Sequence, residues 1–114
     1  MQLIYRIVKL PYGEAVPALK QSLQGYLMHW ERVKVGVSSR PDLRCEQLED
    51  DGWDRMYVLY KAFRADFARD MERELISHAR NSNYILGTEN ILPGGEGIND
   101  DGKSFVYVIV ADKR

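Results

Sequence analysis

Phe105-Val106-Tyr107-Val108-Ile109-Val110 is the run that decides the fold. It carries no charge and is apolar on both alternating faces, the pattern of a strand in the interior of a sheet covered on both sides. Working back along the chain, Arg64 to Arg80 has the clearest helical period, with Phe63, Phe67, Met71 and Leu75 four apart down the side expected to be buried. Trp53 to Tyr60 is rich in strand formers, and Val33 to Ser38 reads as a further strand. Leu3 to Leu10, short, β-branched, aromatic and stopped by Pro11, is another. Between these last two, Val16, Leu19, Leu23, Tyr26, Leu27 and Trp30 recur at helical spacing, and Pro17 is tolerable in a first turn. Pro41 suits a first helical position and opens a helix to about Glu49. Asn81 to Lys103 gathers turn signals (Pro93, Gly94, Gly95, Gly97, Asp101-Gly102) and reads as an irregular excursion. The predicted order is β-α-β-α-β-α-loop-β. This is one α/β domain over residues 1–114, a mixed three- to four-stranded sheet flanked by helices.

Composition narrows the function classes. A chain of 114 residues, 45% apolar and 29% charged, has room for one core of ordinary globular character. No run approaches the roughly 20 apolar residues that cross a bilayer. Met1-Gln2-Leu3-Ile4-Tyr5-Arg6 shows no secretory leader, so the expectation is an intracellular chain with no membrane partner. Cys45 is the sole cysteine, which excludes an internal disulfide and a multi-cysteine metal site. His29 and His78 fall on different predicted helices without ligand-spaced partners. Net charge is −1. Because sequence-independent affinity for nucleic acid comes from Lys and Arg, any such surface must be a local basic patch. Arg32, Lys34, Arg40 and Arg44 are its candidates.

Two charged residues stand out. Glu72 shares its helical row with Ala68 and Ile76, with Ala79 continuing it, whereas Glu74 shares a polar row with Asp70 and His78. Glu72 is therefore expected to face the protein, where an unpaired carboxylate is costly and a cation would offset the cost. Arg44 falls near the start of the Pro41 helix, where the macrodipole disfavours a cation. A guanidinium there has either a surface partner, Asp42 or Glu49, or a phosphate to grip with its planar fork.

The order Lys34-Val35-Gly36-Val37-Ser38-Ser39, Arg44, Glu72, then Asn90 ahead of Gly94-Gly95-Glu96-Gly97, resembles the GIY-YIG endonuclease superfamily over about half the chain. The likeness is to the branch whose second signature is Lys-Ile-Gly-x-Ser/Thr. The resemblance implies metal-assisted hydrolysis of a phosphodiester in nucleic acid, DNA in preference to RNA. It implies that Glu72 is the sole protein ligand of Mg²⁺ or Mn²⁺, and that Arg44, eight positions after Gly36, stabilises charge on the phosphate. Tyr5 and Lys34 would orient or deprotonate water, and Asn90 would contribute to the site. An enzyme of this kind brings Glu72, Arg44, Lys34 and Tyr5 around one cleft.

Three departures leave alternatives open. Leu3-Ile4-Tyr5 lacks the glycine of the first signature, Leu48 stands where the family has a histidine, and a helix separates Tyr5 from Lys34 in place of a hairpin. The alternatives are a catalytically inactive domain of this kind that binds nucleic acid or protein, and an unrelated α/β interaction domain.

Overall fold

The computed structural model describes residues 1–81 and 103–112. In chain order its elements are β1 (Gln2–Tyr5), α1 (Tyr12–His29), β2 (Arg32–Ser38), α2 (Pro41–Gln47), a 3-10 turn (Glu49–Asp51), β3 (Arg55–Ala62), α3 (Ala65–Arg80) and β4 (Ser104–Ala111). They form a four-stranded sheet in the order β1-β3-β4-β2. β1 runs parallel to β3, and β4 runs antiparallel to both of its neighbours. The mixed α/β architecture is the one the hydrophobic pattern calls for, and the doubly apolar β4 is an interior strand.

β4 supplies both cores. Val106, Val108 and Val110 face Leu19, Leu23 and Leu27 of α1 and Met71, Leu75 and Ile76 of α3. Tyr107 and Ile109 face the other way, towards Cys45 of α2 and Leu48, Trp53, Met56 and Val58. The sheet thus separates α1 and α3 on one face from α2 on the other. In β3 an irregularity between Val58 and Tyr60 resets the alternation. Tyr57, Leu59, Tyr60 and Ala62 all reach the α1–α3 core as a result.

Several expectations shift: β3 is Arg55–Ala62 rather than Trp53–Tyr60, and α2 ends at Gln47 rather than about Glu49. β1 is shorter than Leu3–Leu10: after Tyr5 the backbone leaves the regular ladder but keeps hydrogen bonds from Arg6 N–H to Val58 O (2.9 Å) and from Val8 N–H to Leu59 O (2.8 Å). Phe63 and Phe67, expected on the buried side of the third helix, are 73% and 42% exposed. A strict four-residue spacing drifts by about 40° per step around an α-helix. Extrapolated back from Leu75 it leaves the core before it reaches either ring. The buried stripe is instead Ala65, Ala68, Met71, Glu72, Leu75, Ile76 and Ala79. Asn90 and the Gly94–Gly97 cluster lie outside the described residues.

Candidate functional site

Alternation along β2 sorts its side chains. Val33, Val35 and Val37 are buried beneath α1 and α3, so Lys34, Gly36 and Ser38 point to the α2 side. The register aligns Gly36 with Tyr107, Tyr107 with Val58, and Val58 with Tyr5, a single row across that face. Tyr5 is half exposed at its end, and slight burial together with Asp42 and Cys45 pushes its phenol above the usual range. The absent side chain of Gly36 makes room for the Tyr107 ring, since a Cβ there would lie 2.5 Å from its Cζ and Oη.

Arg44 comes down on the same row. Its Nε donates to Tyr107 Oη at 3.4 Å and its Nη1 to Gln47 Oε1 at 3.2 Å. Because α2 is only seven residues long, Arg44 sits in its last turn, where the dipole favours a cation. The expected dipole penalty is therefore absent. Asp42 is bound by Arg40 instead (Nη2 to Oδ2, 3.0 Å), a hydrogen bond that holds its carboxyl below the usual range. Burial pushes the Cys45 thiol up.

Glu72 is 1% exposed, turned inward as its helical row predicts. It is on the other side of the sheet. Its row neighbours Ala68 and Ile76 belong to the α1–α3 core, while Arg44 and Tyr107 belong to the α2 side. The structure brings Tyr5, Lys34 and Arg44 to one face and does not bring Glu72 to them. A hard divalent cation takes six or more oxygens, several of them water. A single, almost fully buried carboxylate does not fit that need. Among the described residues no cluster of three or more His, Cys, Asp or Glu side chains is positioned to hold a metal. Leu48, at the family's histidine position, is a buried member of the second core.

A different constellation escaped the sequence reading. The α1 face formed by Ser22, Gly25, Tyr26 and His29, continued by Trp30, looks across a groove of about 580 Å³ to Arg55 and Tyr57 of β3 and to Asp112. Tyr26 stacks on Tyr57 with ring centres 4.6 Å apart and planes 17° apart. The Arg6 guanidinium lies 5.5 Å from the Tyr57 ring centre, and that of Arg55 lies 5.3 Å from Trp30. Arg55 Nη1 also donates to Tyr57 Oη at 3.0 Å. Burial raises the Tyr26 phenol above its ordinary pKa. Among the described residues neither Arg6 nor Arg55 makes an ion pair. The sequence signal was the aromatic pair Tyr26 and Trp30 at the end of a helix, notable there only for its helical spacing; both rings pack partly buried against the core.

A second groove, of about 520 Å³, is lined by Phe63, Arg64, Ala65, Asp66, Arg69, Asp70 and Arg73. Arg64 and Arg73 are already bound by Asp66 at 3.0 Å and Asp70 at 2.7 Å. Comparison of the chain with known families, curated proteins and solved structures finds no match to any. The likeness to GIY-YIG nucleases therefore rests on the quoted residues alone.

Proposed function

We propose that this chain is a binding domain for nucleic acid and that it does not cleave its ligand. The observation that carries the reading is the pair of exposed arginines, Arg6 and Arg55, held on the aromatic rings of Tyr57 and Trp30, neither of them in a close ion pair among the described residues, although Asp54 and Asp112 lie near enough to Arg55 to interact with its charge. An arginine clamped on a ring is positioned in advance and keeps most of its five N–H donors for phosphate. The half-buried rings of Tyr26 and Trp30 beside these arginines offer a partly accessible aromatic edge for base stacking, which tolerates any sequence. A local pair also answers the difficulty of a net charge of −1. The separation of Glu72 from Arg44 by the sheet counts against the hydrolytic alternative, in which both must reach one phosphate.

The test is binding of dye-labelled single strands of DNA and RNA, followed by fluorescence anisotropy, with a parallel cleavage assay in Mg²⁺ and Mn²⁺. Two phosphate contacts on a single strand give a salt slope of about −1.4. Raising salt fourfold should then weaken binding roughly sevenfold. The strands should remain intact. Divalent-dependent cleavage that disappears in Glu72→Gln would overturn this reading in favour of the nuclease.

A further inference from the structure

Within that nucleic-acid reading, on which it rests, we infer that the groove between α1 and β3 seats one unpaired nucleotide of a single strand. The base lies against Tyr26 and Trp30, and the phosphate lies against Arg55, with Arg6 beside the Tyr57 ring outside the groove lining. The groove, at about 580 Å³, is in the size range of small-ligand sites and is lined by Tyr26 and Trp30 on one wall and by Tyr57, one guanidinium (Arg55) and one carboxylate (Asp112) on the other. The rings suit the base of a nucleotide and the guanidinium its phosphate.

Gly25 is the independent observation. It sits in the interior of α1, where glycine is among the poorest residues. Nothing in the fold requires it, because a Cβ added there meets no atom within 4 Å. It lines the groove between Ser22 and His29. A missing side chain that the protein does not need for its own packing leaves space for something outside the chain. It lets the plane of a base approach the helix backbone beside the Tyr26 ring.

The remaining polar groups set orientation. Asp112 lines the groove, its backbone N–H anchored to Asp54 Oδ2 at 3.0 Å. Its carboxylate, near enough to Arg55 to interact with the guanidinium charge, accepts a base N–H. A base in a duplex is stacked on both faces and cannot enter. Single strands are therefore bound in preference to duplex.

The experiment uses the whole chain with fluorescein-labelled ten-residue oligothymidylate and oligouridylate, and a ten-pair duplex as comparison. Gly25→Leu has open space for its side chain and should fold as the parent does while filling the groove. It should weaken binding of both single strands by about 5- to 150-fold, the range found when one base loses its aromatic stack. Arg55→Gln should reduce the magnitude of the salt slope by about 0.7, one phosphate contact. Arg40→Gln, on the α2 side and paired to Asp42, should change neither. If the parent binds and both groove variants bind like it, the groove assignment is overturned while the nucleic-acid reading stands. If the parent binds no strand at low salt, both fall. Free thymidine monophosphate competing as strongly as the strand would overturn the strand in favour of a mononucleotide ligand.

Discussion

Gly36 is the residue at which the absence of a side chain matters most to the α2 face. The Tyr107 ring occupies the place of its Cβ, is itself 4% exposed, and holds Arg44 through its hydroxyl. Gly36→Ala must displace that ring, and the ring cannot move without disturbing the Arg44 contact and its packing beside Ile109. Overpacking of this kind costs about 1–3 kcal/mol. The expected result is a lower urea midpoint with an unchanged m value. In a Tyr107→Ala background the cost of Gly36→Ala should largely vanish, because the colliding group is gone. An equal cost in both backgrounds would show that the ring is not the cause. A glycine that matches a family signature here has a local steric reason. Glu72 teaches the converse: its helical row correctly marks it as buried, but a row cannot say which face of the sheet it meets.

At the scale of elements, α1 carries an avoidable weakness. Helix-interior glycine is destabilising by about 0.5–1 kcal/mol relative to alanine, and the space at Gly25 admits a methyl without collision. Gly25→Ala should therefore raise the thermal midpoint by about 2–4 °C for a domain of this size. A fall would mean that the helix backbone there depends on glycine after all. The elements themselves were legible, because periodicity and turn chemistry are local: α3, β4 and the Pro41 start of α2 all stand where the pattern puts them. The site was legible only in halves. Alternation separates Lys34 from Val33 and Val35, and the helical row separates Glu72 from Glu74. What places Arg44 and Glu72 on opposite sides is the path of the chain, with α1 and α3 over one face and α2 under the other. No spacing within a single element encodes that path. The groove was hidden for the same reason, since its walls come from α1 and β3, some thirty residues apart.

The whole molecule depends on its last strand. β4 lies between β3 and β2, and among the described residues β2 has no other strand beside it. The residues it pairs with in β2 are roughly seventy positions earlier in the chain, so loop-closure entropy is spent before the pairing is gained. Five of its side chains wall the two cores: Val106, Val108 and Val110 on one face, Tyr107 and Ile109 on the other. At about 1.5–3 kcal/mol for each buried side chain, their burial is worth roughly 8–15 kcal/mol, comparable to the entire stability of an ordinary domain. The two cores therefore cannot melt separately. Ile109→Ala touches only the α2-side core directly and should cost about 2–5 kcal/mol. Its effect should appear equally in the α1–α3 core, which holds most of the helix. In a Trp30→Phe background, Trp53 fluorescence reports the α2 side and far-UV circular dichroism reports α1 and α3. The two urea transitions should coincide before and after Ile109→Ala and shift together. A fluorescence transition that moves to lower urea while the helical signal stays in place would mean that each core stands on its own and that β4 does not couple them.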